Sequence, residues 1–174
     1  KLEYLRLPRH TAGTVFNGDG LANLVNLQEL DMEHSVESLE PLRNLKNLKV
    51  LTMSTGRSAD GTFRSMEPLS GLTNLESLEL NVPNQADVNF SYFSGMTKLT
   101  TLYVTTNRTA SGDPVIDLTP LGSLTQLRSV ELSLPQIRDL TPLAALPNLQ
   151  SVTIRGAENL DTSPLANVPQ VNVE

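Results

Sequence analysis

Three carboxylates at alternate positions, Glu29, Asp31 and Glu33, are a natural first place to look for ligand chemistry in this 174-residue chain. Standing on one face of a strand they would lie roughly 6.6 Å apart, which is too open for a calcium cage without further oxygen ligands. They read as a solvated acidic face, open to a protein ligand rather than a metal ion. His10 and His34 are the only histidines, and neither has a second histidine or a placed nucleophile beside it. Asn17-Gly18-Asp19-Gly20 shares glycine and acid with a calcium loop but lacks that motif's alternating ligands and terminal Glu, so a turn is expected. No phosphate-cradling glycine loop, Ser-x-x-Lys or G-x-S-x-G pattern occurs. The chain has no cysteine, which excludes disulfides, zinc fingers and thiol catalysis. With no nucleophile, base or metal constellation, neither enzymatic activity nor a cofactor is expected. Asn89-Phe90-Ser91 and Asn107-Arg108-Thr109 are sequons of a kind that arises often by chance.

The elements that position these residues are repeats. The stretch Leu127 to Asn148 has an apolar skeleton (Leu127, Val130, Leu132, Ile137, Leu140, Leu143, Leu146) whose copies begin at Leu2, Leu27, Leu48, Leu75, Leu99, Leu127, Leu149 and Val171. Each of the first seven opens with L-x-x-L-x-L, as in Leu75, Leu78 and Leu80. Its last two apolar positions alternate with a polar one, the period of a strand with one buried face. Reading backwards, apolar residues recur three, six and usually nine places before each origin, as at Leu118, Leu121 and Leu124. A proline follows two places after the first of them at Pro41, Pro68, Pro120, Pro142 and Pro164. Three residues per turn, opened by a residue of fixed φ, predicts a short 3₁₀ segment. Strand, loop, 3₁₀ segment and return cannot bury their leucines alone, but stacked copies bury them in one column.

The chain resembles the leucine-rich repeat proteins, within them the irregular 22-residue class found in bacterial internalins and in a eukaryotic phosphatase-regulating repeat protein. The seven L-x-x-L-x-L motifs and runs such as Asp117-Leu118 and Asp139-Leu140 carry the likeness. It implies an α/β solenoid of seven to eight repeats, with a parallel concave sheet and 3₁₀ segments on the convex side. The family places an asparagine at the ninth position of each copy, where it bonds adjoining turns. Here only Asn107 obeys, the others being His10, Ser35, Gly56, Pro83, Pro135 and Ala157. In the two proline copies Val82 and Leu134 are expected to extend the inward alternation instead.

Residues 1–174 read as a single repeat domain, expected to be a piece of a longer chain, since they open at Lys1-Leu2 within a repeat and stop before another strand is expected to finish. The net charge of −6 and pI near 4.9, with the basic residues dispersed, argue against a nucleic-acid surface. Only 4% of residues are aromatic, which suits a core of leucine columns. No membrane span is present in the sequence. Copies one, three and five carry the extra length, in glycine- and serine-rich segments typical of surface loops. Between the buried strand positions, a central solvent-facing column runs Arg6, Asp31, Thr52, Glu79, Tyr103, Glu131, Thr153. Glu29, Asp31, Glu33, Glu79, Tyr103 and Glu131 are therefore candidate contacts for a protein ligand, with Arg57, Asp60 and Arg108 added from the long loops. The resemblance implies a non-catalytic binding module of a bacterial surface or secreted protein, or, alternatively, a cytoplasmic adaptor subunit that scaffolds an enzyme.

Overall fold

The computed structural model describes residues 1–7, 18–36, 38–55, 65–84, 87–106 and 113–174, with backbone alone at 33–36 and 55. Eight strands among them form one parallel sheet in chain order: β1 (Tyr4–Leu7), β2 (Glu29–Val36), β3 (Val50–Thr55), β4 (Ser77–Val82), β5 (Thr101–Thr106), β6 (Ser129–Ser133), β7 (Ser151–Arg155) and β8 (Gln170–Val173). Corresponding apolar residues pair across neighbouring strands, as in Leu51 with Leu78 and Leu78 with Leu102. The columns they form are fully buried from the second copy to the seventh. Val82 and Leu134 are completely buried too. In the first copy Leu2 is exposed, and Leu5 and Leu7 pack only partly against the core.

The period-three grid forms 3₁₀ segments at Glu40–Leu42, Glu67–Gly71, Phe90–Phe93, Thr119–Ser123 and Ser163–Leu165. One more, Gly18–Asn23, takes in three residues of the Asn-Gly-Asp-Gly stretch expected to be a simple turn. In the sixth copy the segment is instead a single α-turn, α1 (Thr141–Ala144), where Ala144 N–H reaches Leu140 O at 3.3 Å. A side chain two residues upstream holds the start of most segments. Asp117, Asp139 and Asp161 accept from the backbone N–H of Thr119, Thr141 and Ser163 at 2.8, 2.8 and 2.9 Å. Asn89 serves Ser91 at 3.0 Å, and the hydroxyls of Ser38 and Ser65 serve Glu40 and Glu67. Satisfying an otherwise orphaned donor in this way is the work of an N-terminal cap.

The turns are joined by two ladders. At each of six joints one carbonyl takes two N–H groups of the next copy: Lys49 O, for example, accepts from Glu76 at 2.8 Å and Ser77 at 3.0 Å. The second ladder is of asparagines, but at the position just before three of the origins rather than at the ninth. Asn47, Asn74 and Asn148 donate through Nδ2 to Val25 O, Lys46 O and Thr125 O at 2.7, 2.8 and 2.8 Å, and Lys98 donates to Asn74 Oδ1 at 2.6 Å. The signal was present in the sequence as Asn-Leu at 26–27, 47–48, 74–75 and 148–149. Replacing Asn74 by Leu should lower stability by about 1 kcal/mol, the net worth of a typical hydrogen bond. A denaturant midpoint unchanged from wild type would show that this ladder does not hold the turns.

The last copy corrects the sequence reading. Val171 pairs with Val152 and Val173 with Ile154, so its origin is Val168, three residues earlier than expected. Every later origin donates its N–H to the carbonyl three residues back, Leu149 to Leu146 and Val168 to Leu165 alike. One turn of the period-three grid has been dropped, and the apolar side still points inward because three residues are one 3₁₀ turn. Pro169 then occupies the place of the first donor in the paired-amide joint, leaving Gln170 alone to reach Gln150 O at 3.0 Å.

Candidate functional site

The in-register pairing that aligns the buried columns also aligns the solvent-facing ones. Arg6, Asp31, Thr52, Glu79, Tyr103, Glu131, Thr153 and Asn172 form one unbroken row across all eight strands. Tyr4, Glu29, Val50, Ser77, Thr101, Ser129, Ser151 and Gln170 form the row beside it. On the other side, Ser54, Asn81, Thr105, Ser133 and Arg155 continue the pattern from β3 to β7. Glu33 does not join them. Met32 pairs with Met53 but Val36 with Thr55, so β2 carries extra residues there and Glu33 falls inside the irregularity, where its side chain is not described. Arg57, Asp60, Arg108, His10 and Asn107 lie outside the described residues.

The three carboxylates of the central row are in different electrostatic states. Asp31 Oδ2 meets Arg6 Nε at 3.1 Å across the β1–β2 pair, and its Oδ1 is buried with no hydrogen bond. Glu131 is ion-paired with Arg155 of β7, which also reaches Glu174 at 3.1 Å. Sequence reading missed both arginines as partners, although the strand spacing alone brings Arg6 directly beside Asp31. Glu79 and Glu29 are exposed, and no ion pair of theirs occurs among the described residues. Tyr103, half-buried, stands between Glu79 and Glu131. Its other neighbours on the face are Asn81 and the small, hydroxylated Ser77, Thr101, Thr105, Ser129 and Ser133.

Beside the shortened last copy, Arg128, Ser129, Gln150, Ser151, Pro169 and Gln170 line a shallow groove of about 340 Å³ at the entrance to β6–β8. On the 3₁₀ side, Arg43 clamps two copies together. Its Nε and Nη2 donate to Glu40 at 2.8 Å each, its Nη1 donates to Glu67 at 2.9 Å, and a further contact joins Nη2 to Glu67. Among the described residues no cluster of three or more His, Cys, Asp or Glu could hold a metal ion. No helix there is long and apolar enough to cross a membrane.

Several carboxylates sit below their ordinary pKa. Arg43 lowers Glu40 and Glu67; the hydroxyl and N–H of Thr119 lower Asp117, those of Thr141 lower Asp139, and the N–H and hydroxyl of Ser163 lower Asp161. Asn172 and then Arg155 lower Glu174. A folded pKa below the unfolded one means that the unfolded chain binds more protons in the acid range, so stability there rises with pH. The contribution is complete above the usual carboxylate values of about 4 and is lost as pH falls through the lower folded values. The melting temperature should hold steady from pH 7 to 5 and drop below about pH 4. Asp139→Asn keeps an acceptor for Thr141, as Asn89 does for Ser91, and should make that drop shallower. An acid transition identical to wild type in thermal melts would count against the capping account.

A parallel sheet with one strand per 19- to 28-residue copy, 3₁₀ segments opposite and a continuous leucine column define a leucine-rich repeat solenoid. No family model and no curated protein matches the chain. Solved structures do. Internalin C2 of Listeria monocytogenes superposes with a TM-score of 0.61 at 27% identity, over 94% of this chain and 77% of that one. A second Listeria monocytogenes internalin, inlF, gives 0.60 at 26%, over 90% of this chain and 49% of its own. The chain thus has a leucine-rich repeat fold similar to that of internalins, and spans about half the length of the second. That likeness supports a protein-interaction module.

Proposed function

We propose that this chain is a single repeat domain serving as a non-catalytic recognition module of a bacterial surface or secreted protein, and that it takes a protein partner on the open face of its sheet and on the loops that follow the strands. The observation that carries the reading is the unbroken solvent-facing row from Arg6 to Asn172, with an aromatic residue at its centre. Seven strand spacings give that row a length of roughly 34 Å, enough for a partner surface of ordinary size. Tyrosine joins a large apolar face to a hydroxyl and is enriched among residues that dominate binding energy.

The test uses a partner obtained by selection against the folded domain. Tyr103→Ala should weaken its binding about thirtyfold, close to 2 kcal/mol, without changing the melting temperature by more than a degree or two. Ser91→Arg, a large charge placed on an exposed site of the 3₁₀ side, should leave affinity unchanged. Calorimetric titrations in which Ser91→Arg does the damage and Tyr103→Ala does none would move the binding surface off the sheet.

A further inference from the structure

Of the three carboxylates in the central row, two are already neutralised within the sheet, Asp31 by Arg6 and Glu131 by Arg155. Glu79 is not. The residues that face solvent on its two neighbouring strands are Val50, Thr52 and Ser54 on β3, and Thr101, Tyr103 and Thr105 on β5, none of them basic. On its own strand Ser77 and Asn81 flank it. Lys49 lies at the start of β3 but is directed to Glu76 at 3.9 Å. An exposed carboxylate therefore stands in register with a phenol ring one strand away, about 4.8 Å between backbones, above a floor of small side chains.

We infer that Glu79 and Tyr103 together form a receptor for one arginine side chain presented by a protein partner. A guanidinium is planar. It can lie over the electron-rich face of Tyr103, within the roughly 6 Å that such contacts require, while its edge donates two parallel N–H bonds to the Glu79 carboxylate. The small residues around the pair leave room for this approach, and the charge balance favours it here rather than at Asp31 or Glu131, where an incoming cation would compete with an arginine already in place. Glu29 and Tyr4 are a second carboxylate and phenol in register, without an ion pair of Glu29 among the described residues, but Arg6 stands two residues from Tyr4 on the same strand and opposes an incoming cation there. The inference deepens the reading of the sheet as a binding face and rests on it.

The probe is N-acetyl-arginine methylamide, titrated into the whole domain with the Tyr103 ring resonances observed by NMR. Saturable shifts are expected with this probe and not with its citrulline counterpart, which has nearly the same shape but no charge. Glu79→Gln should weaken the response at least fivefold and Tyr103→Leu should do likewise, read at backbone amides of β4 and β5, whereas Glu29→Gln should leave it unchanged. Raising the ionic strength to 1 M should shrink it. Equal responses to arginine and citrulline, a Glu79→Gln variant that binds like wild type, or a lysine analogue that binds more tightly than arginine would each overturn the proposal. If the arginine probe fails while Tyr103→Ala still releases the selected partner, the sheet remains the binding face and the arginine receptor is refuted. If the probe behaves as described but the partner ignores Tyr103, the receptor stands and the protein-binding reading falls.

Discussion

Leu78→Ala is expected to lower the unfolding free energy by about 2–5 kcal/mol, while Glu79→Ala, one residue on, should change it by less than about 0.5 kcal/mol. Leu78 is fully buried between Leu51 and Leu102 at the middle of the column, and Glu79 faces water. A stack of repeats is stabilised by nearest-neighbour interfaces, so a hole in β4 weakens its contacts with β3 and β5 together. The measurement is a pair of guanidinium melts with the slope recorded as well as the midpoint. A reduced slope for Leu78→Ala would show the stack parting into two units at β4. Equal losses at the two positions would mean that the strand register is misassigned.

The column itself was legible because strand geometry leaves little freedom: side chains alternate, strands pair in register, and every copy repeats the same spacing. The central solvent-facing row from Arg6 to Thr153 followed from that spacing and appears unchanged in the sheet. Features set by departures from the repeat were harder to read. The irregularity that breaks the strand register after Met32 arises from two extra residues in β2, which no apolar pattern marks. The last origin was placed at Val171 because a period of three is indifferent to the loss of one turn; Val171 satisfies the backward grid through Val168 and Leu165, but Val168, Val171 and Val173 complete the L-x-x-L-x-L motif, which is the feature that separates them. The asparagine ladder does not occupy the family's ninth position; three of the four Asn-Leu pairs preceding an origin supply it instead.

The electrostatics of the face illustrate a different limit. A row of alternating residues tells which charges share a surface, but Asp31, Glu79 and Glu131 looked alike in sequence. What distinguishes them is the neighbouring strand: Arg6 is in register with Asp31, and Arg155 reaches Glu131 from the next row. A pair of exposed partners of this kind adds little stability, on the order of 0–1 kcal/mol. Its consequence is for the charge pattern of the face, because it leaves Glu79 as the carboxylate of the row with no basic residue among the solvent-facing positions beside it.

Gly156→Ala should destabilise the last repeat, by about 1–3 kcal/mol, through backbone strain. Gly156 follows β7 directly and has φ near +80°, a region that costs a residue with a Cβ but not glycine. An added Cβ would also lie 3.2 Å from Pro135 Cγ, close enough that the proline ring must shift. The strain falls at the joint that closes the final copy, since Gly156 N–H donates to Glu174 O at 2.7 Å and Arg155, the preceding residue, holds the Glu174 carboxylate. Alanine in place of glycine narrows the unfolded ensemble and gives back about 0.4–1 kcal/mol, so the net loss should be at the lower end of the range. Asparagine tolerates positive φ better than alanine, and Asn159 adopts φ of 55° three residues later. Gly156→Asn is therefore expected to lose less than Gly156→Ala, unless the Pro135 contact rather than the dihedral sets the cost, in which case the larger asparagine loses more. Hydrogen exchange at the β8 amides reads the effect locally: faster exchange at Val171 and Val173 with unchanged protection in β3 to β5 is the expected pattern. Protection lost uniformly across the sheet would mean that the glycine turn supports the whole stack and not its last copy.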